Sequence, residues 1–361
     1  MMNNNSSYKN HGTCLPLILA LLAALPACGD LDETDANPPS VGALALWDSS
    51  HLLALRTYYK DPVLVDVQSG KQTGTLSVDK WYSDIAVIGN GELIGLHNQS
   101  IDFYKADGTL DTARSITATQ FISMAMSVDR STLAYAVALD PTNSKLGILD
   151  LPSGVARSPV PDVTFNYGLS IARDGKLVAI PQGDVEVVMT HAPWTTSTCV
   201  LDLDPRRPGA AFVIAFSPVD DKLAVGKLDG GVNIFDLSHF PDCTLVSSYV
   251  SPEDTRPDIN HVQYSPDGTV VAIAVEQTAA SAAGVPIART GAIRLLAAAT
   301  GDLVKELPVY QWQKTSDSDY GPQIEDLQWS ETGDRLAVAT GDGPLQQWDV
   351  ATGTLLWSAG I

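Results

Sequence analysis

From residue 42 to the last residue, short apolar runs alternate with turn signals, and the alternation has a long period. Three late segments align by eye: "AFSPVDDKLAVGKLDGGVNIFDL", "QYSPDGTVVAIAVEQ" continued by "GAIRLLAAATGDLVKEL", and "QWSETGDRLAVATGDGPLQQWDVATGTLLW". Each reads as strand, polar turn, apolar strand, Gly/Asp turn, strand, turn, strand. Asp-Gly and Thr-Gly pairs supply the positive-φ positions that tight hairpins need. The last apolar residue of each first strand falls at Trp47, Val87, Met126, Ile171, Phe216, Tyr264 and Trp329, with spacings of 40, 39, 45, 45, 48 and 65 residues. A period of about 40–45 residues with four strands per period is the pattern of propeller blades. The expectation is an all-β, seven-bladed β-propeller of four-stranded antiparallel blades over residues 42–361.

Two stretches lengthen the last interval. "EQTAASAAGVPIARTG" reads as a low-complexity insertion between second and third strands, and "PVYQWQKTSDSDYGP" as a long connection into the next blade. Runs such as "VVAIAV" and "RLAVAT" are apolar on both faces, as strands buried on both faces require. An eight-stranded barrel has no use for about 28 short strands. The chain is expected to start in an inner strand near Gly42 and to end in an outer strand, so each blade is continuous chain.

The late segments resemble WD-repeat proteins. Ser217-Pro218 occupies the turn, Asp229 the hairpin, and Phe235-Asp236 the Trp-Asp slot; the last blade has Trp348-Asp349 itself, with Asp342 in its hairpin. No Gly-His pair precedes the blades, so that family's His–Ser/Thr–Asp–Trp network is largely missing. "DVATGTLLW" is similar, once, to an element of quinoprotein-type propellers.

Ahead of the repeats, residues 1–14 are polar, and Leu15 to Ala27 is apolar but shorter than the ~20 residues of a spanning helix. This fits the apolar region of a secretory signal. It ends in Leu25-Pro26-Ala27-Cys28, which resembles the lipobox of bacterial lipoproteins. The resemblance implies cleavage before Cys28, acylation of its thiol (palmitate among the candidate chains), and an exported, lipid-anchored protein. The residue after Cys28 is Gly29 rather than aspartate, which favours the outer membrane, periplasmic or surface-facing. Residues 1–27 are thus read as signal peptide. Residues 28–41, "CGDLDETDANPPSV", are read as an acidic, proline-stiffened tether.

The formal charge of −20 repels phosphates and anionic head groups. It argues against nucleic acid and against membrane contact other than through the lipid. No GxSxG elbow, HExxH helix or phosphate loop occurs, and the six histidines lie at no metal-ligand spacing. No catalytic, cofactor or metal residue is therefore assigned, and no cofactor is expected. Cys199 and Cys243 follow parallel loops into neighbouring outer strands. Export favours a disulfide between them. The expected separation of equivalent points on adjacent outer strands, on the order of 15 Å, opposes it unless a loop folds sideways.

Residues just ahead of the inner strands form the candidate partner-binding face: Trp81, Tyr82, Asp84, Asn166, Tyr167, Asp258, Asn260, His261, Glu325 and Asp326. This mix of aromatics, acids and amides suits a protein or peptide partner with basic groups. The function expected is a non-catalytic, protein-binding scaffold of the cell envelope. It resembles in build the propeller lipoprotein of the outer-membrane barrel assembly machinery. The alternative is a propeller enzyme of lactonase or quinoprotein type, with its site in the central channel.

Overall fold

A computed structural model describes residues 41–56, 61–78, 80–89, 91–139, 144–163, 169–182, 186–191, 195–200, 211–227, 230–252, 257–280, 286–315 and 321–361. The described residues form 28 strands. The first sheet holds β1 (Val41–Asp48), β2 (His51–Arg56), β3 (Val63–Asp66) and β4 (Gln72–Thr75). The second holds β5 (Asp84–Gly89), β6 (Glu92–His97), β7 (Ser100–Tyr104) and β8 (Ile116–Thr117). The third holds β9 (Phe121–Met126), β10 (Thr132–Ala138), β11 (Ser144–Asp150) and β12 (Val155–Val163). The fourth holds β13 (Ser170–Ile171), β14 (Leu177–Gln182), β15 (Glu186–His191) and β16 (Thr195–Val200). The fifth holds β17 (Ala211–Phe216), β18 (Lys222–Lys227), β19 (Val232–Asp236) and β20 (Thr244–Tyr249). The sixth holds β21 (Asp258–Tyr264), β22 (Val270–Ala280), β23 (Pro286–Ala297) and β24 (Leu303–Gln313). The seventh holds β25 (Gln323–Trp329), β26 (Arg335–Gly341), β27 (Leu345–Asp349) and β28 (Thr354–Ala359).

Each sheet is an antiparallel meander with strands in chain order. First strands pack against first strands of neighbouring sheets, and β1 touches both β5 and β25. The arrangement is a β-propeller of four-stranded antiparallel blades. Second strands are buried on both faces, as at Leu52–Leu55 of β2 and Leu223–Lys227 of β18, whereas the outer β28 is mostly exposed. The turns use the expected chemistry. Gly268 and Gly353 sit at φ 71° and 75° behind Asp267 and Thr352, and Asp267 accepts bonds from Ser265, Thr269 and the Thr269 amide.

Among the described residues the ring closes without a swapped strand. Val41, Leu44, Leu52 and Val65 share a core with Ala337, Ala339 and Leu345, and Trp357 and Ile361 pack on its edge. Three hydrogen bonds cross the same seam. Leu44 N donates to Asp326 Oδ2 (2.7 Å), Trp357 Nε1 to Val67 O (3.0 Å) and Arg335 to Val67 O (3.3 Å).

Two expectations need correction. The "EQTAAS…" stretch is not simply an inserted loop: β22 continues to Ala280 and β23 starts at Pro286, paired from Gln277↔Thr290 to Ala280↔Pro286. Likewise β24 runs on to Gln313, so much of the expected long connection is strand. Backbone pairing needs no particular side chain, so small polar residues join a ladder once a neighbouring strand is in register.

Candidate functional site

The propeller presents its inner-strand starts to a central opening, and a bulge recurs at that point. Register shifts fall between Val41 and Ala43, Ala211 and Val213, Ile259 and His261, and Ile324 and Asp326. In the third sheet the shift separates the partners Ser123 and Phe121. A bulge inserts a residue and re-aims its neighbours. Several residues at or beside these shifts face the opening. Gly42, Ala43, Ile122, Ser123, His261, Glu325 and Asp326, together with Asp84, line a cavity of about 270 Å³.

Its chemistry is dominated by carboxyls. Asp84 Oδ1 accepts from its neighbour's amide, Ile85 N (2.8 Å). Asp326 accepts from Leu327 N and from Leu44 N across the seam, both at 2.7 Å. Burial, reinforced by the Asp326 charge, pushes Asp84 up to about 7. Burial also carries Asp326 up to about 7, against the pull of its two amide donors. Glu325 rises to about 7 through burial and then the charges of Glu276, Asp342 and Asp326. His261 Nδ1 lies 4.0 Å from Asp326 Oδ1, and the two side chains keep 34% and 25% of their surface open. Burial holds that imidazole down to about 4, so it is neutral at pH 7 and forms no charged pair with Asp326. Among the described residues, no Lys or Arg lines the cavity. The Ser123 hydroxyl on its wall is buried without a hydrogen-bond partner.

A fourth carboxyl braces the rim. Glu276 accepts from Asn260 Nδ2, from the Tyr310 hydroxyl and from Ile324 N (2.7 Å), tying the sixth sheet to the seventh. Tyr310 reaches it by lying across Gly291, where an added Cβ would stand 2.3 Å from the ring. Burial raises the Glu276 carboxyl, with the hydrogen bonds pulling the other way. The Asp258 carboxyl, at the start of β21, is raised by partial burial and pulled back by the Arg289 charge.

Of the ten residues expected on this face, Asp84, His261, Glu325 and Asp326 meet at the cavity. Asn260 and Asp258 stand beside it on β21. Tyr82 does not face the opening. It is 7% exposed, lies over Gly95, and bonds to Asp102 Oδ2 (3.0 Å) and the Tyr104 hydroxyl (2.7 Å). Trp81 is half-buried beside it and does not line the cavity. Asn166, Tyr167 and Cys28 lie outside the described residues. Cys243 is disulfide-bonded. Cys199 stands in β16 opposite Val187, and its side chain lies outside what is described. Among the described residues, no group of three His, Cys, Asp or Glu side chains is placed to hold a metal ion. The bulge-borne residues Gly42, Ile122 and Ser123 escape a sequence reading. Their only signal is the third-position alignment of "GALAL", "ISMAM", "NHVQY" and "EDLQW".

The chain matches no family model, and no curated protein matches it.

Proposed function

We propose that this chain is a seven-bladed, WD-repeat-like propeller, carried on the cell envelope by a lipid at Cys28, and that it serves as a non-catalytic scaffold for a protein or peptide with basic groups. One observation carries the reading. Asp84, Glu325 and Asp326 converge on one cavity, and among the described residues no cation lines it. Like charges held together in a partly dry site repel, and an incoming ammonium or guanidinium relieves that repulsion. Neutral His261 and Ser123 Oγ offer additional hydrogen-bonding capacity on the same wall. A lysine-bearing peptide should therefore bind saturably, more tightly at pH 8 than at pH 5.5, and release protons as it does. Calorimetry in two buffers of different ionisation enthalpy reads both quantities. Equal binding of the glutamate counterpart, or no saturable binding at either pH, sinks the reading. The anchor is tested separately: acyl label should be incorporated by wild type and lost in Cys28→Ser. The Cys199–Cys243 pairing is proposed as the bridge that Cys243 makes. Alkylation without reductant should leave both thiols unlabelled.

A second reading, an enzyme in the channel, draws on the same carboxyls. Groups titrating near 7 beside a neutral imidazole can exchange protons at neutral pH. It predicts hydrolysis of a chromogenic lactone or ester that is lost in Glu325→Gln.

A further inference from the structure

The sixth sheet departs from its neighbours at the end that carries the acidic opening. Pairing between β21 and β22 stops at Asp258↔Glu276. Beyond that point β22 continues through Gln277, Thr278, Ala279 and Ala280, paired only with β23, and β24 extends alongside to Gln313. Four residues at about 3.4 Å each raise a three-stranded arm about 14 Å above the level where β21 begins. The second strands of the first, fifth and seventh sheets show no such overhang: they end at Arg56, Lys227 and Gly341, opposite the first residues of β1, β17 and β25.

The overhang leaves the inner edge of β22 without a described strand beside it. Just ahead of β21, the Pro257 ring sits on Gly230 of the β18–β19 turn. Thr278, Ala279 and Ala280 are exposed. In an antiparallel pair each residue directs its N–H and C=O to one side, so alternate residues here turn theirs inward, away from β23. Soluble proteins guard such edges with Lys, Pro, a bulge or a short strand. Between Gln277 and Ala280 this edge carries no charge and no proline; its one irregularity is the register shift between Ala279 and Ala280, and Arg289 stands opposite Thr278 on the far side. Immediately below it lie the paired Asp258 and Glu276, and Glu276 in turn interacts with Glu325 of the opening.

We propose that this edge is a docking strand: an extended, Lys- or Arg-bearing segment of a partner pairs with Gln277–Ala280 in line with β21 and directs a basic side chain to the acidic opening beneath. The inference rests on the basic-partner reading above and adds its mode. Main-chain hydrogen bonds supply affinity, alternate side chains supply specificity, and the carboxyls select charge.

The probe is a short fluorescent peptide alternating lysine with valine, titrated into the full-length protein. Two further peptides carry N-methyl groups on alternate residues, one on each edge. Methylating the pairing edge removes donors and adds bulk, so one N-methylated peptide, and not the other, should bind about tenfold more weakly. Proline at Thr278 or Ala279 should weaken binding in the same way, with the melting temperature confirming the fold; the peptide series stands if either variant misfolds. Glu325→Gln should weaken all three peptides together. If the lysine peptide binds and Glu325→Gln weakens it, but both N-methylated peptides bind equally well, the docking strand is overturned and the basic-partner reading survives. If no lysine peptide binds, both fall. If the edge pairs with a second copy instead, the protein sediments as a dimer that Ala279→Pro dissociates, and the proposal is overturned.

Discussion

Glu325→Gln provides a direct test of whether the opening is held against electrostatic strain. In the folded protein the carboxyl titrates near 7, raised from 4.5 by burial and by neighbouring acids. Each tenfold change in proton affinity between the folded and unfolded states is worth about 1.4 kcal/mol. Taken in full, the rise would correspond to about 3 kcal/mol, and water in the half-open cavity reduces that to about 1–2 kcal/mol. The sign follows from proton binding. Between about pH 4.5 and 7 the folded state holds a proton that the unfolded state has released, so stability falls as pH rises through that window. Below it both states are protonated; above it both are ionised and the loss is constant. Glutamine has nearly the same shape and never ionises. The variant should match wild type at pH 4 and exceed it by about 1–2 kcal/mol at pH 8, a rise of roughly 2–5 °C in melting temperature for a domain of this size. Scanning calorimetry or fluorescence melts at pH 4, 5.5, 7 and 8 would trace the divergence. A pH-independent difference, or a variant less stable at pH 8, would refute the argument that these carboxyls repel.

Gly291→Ala places a Cβ 2.3 Å from the Tyr310 ring, which must swing off Glu276; a loss of about 2–3 kcal/mol is expected in denaturant melts, and no loss would show the ring free to move. Leu345→Ala empties a fully buried position at the seam between the first and seventh sheets, and should lower stability by about 2–5 kcal/mol and speed proteolysis of the ends. Asp267→Ala removes the turn acceptor of Ser265 and Thr269 and should lose about 1–2 kcal/mol at pH 7. Because hydrogen bonds hold that carboxyl below its ordinary value, its contribution is present at neutral pH and fades as pH falls below about 4, where the variant and wild type should converge.

The blade period was legible because every repeat contains a strand buried on both faces, and such strands read as continuous apolar runs. "VVAIAV" and "RLAVAT" announce β22 and β26 on composition alone. The overhang of β22 and β23 was not legible, since "QTAA" has no alternation and Thr278 as its one β-branched residue; its pairing continues an already registered hairpin. Tyr82 misled for a related reason. It precedes an inner strand, where a surface aromatic is reasonable, but Gly95 leaves a flat space that the ring fills. No local pattern distinguishes a glycine that admits a ring from one that makes a turn. The acids of the opening were legible as a polar face. Their convergence was not, because a bulge shifts which side of the strand a residue takes without altering the apolar rhythm on either side of it.

Asp326 explains how the ring holds carboxyls that repel one another. Its two oxygens accept amides from Leu327 and, across the seam, from Leu44, so part of its charge is answered by backbone donors that closure itself brings into place. Asp84 has one such donor and Glu276 has three partners. Glu325 has electrostatic neighbours that all raise its pKa. The acids therefore divide by what holds them. Asp326 and Glu276 join adjacent sheets and cannot be neutralised without touching the ring, whereas Glu325 can. A cation entering the cavity adds least at the oxygens that are already bonded and most at Glu325 and Asp84. That makes Glu325 the position where charge can be removed with the least disturbance of the fold, and the one whose loss should separate binding at the opening from closure of the propeller.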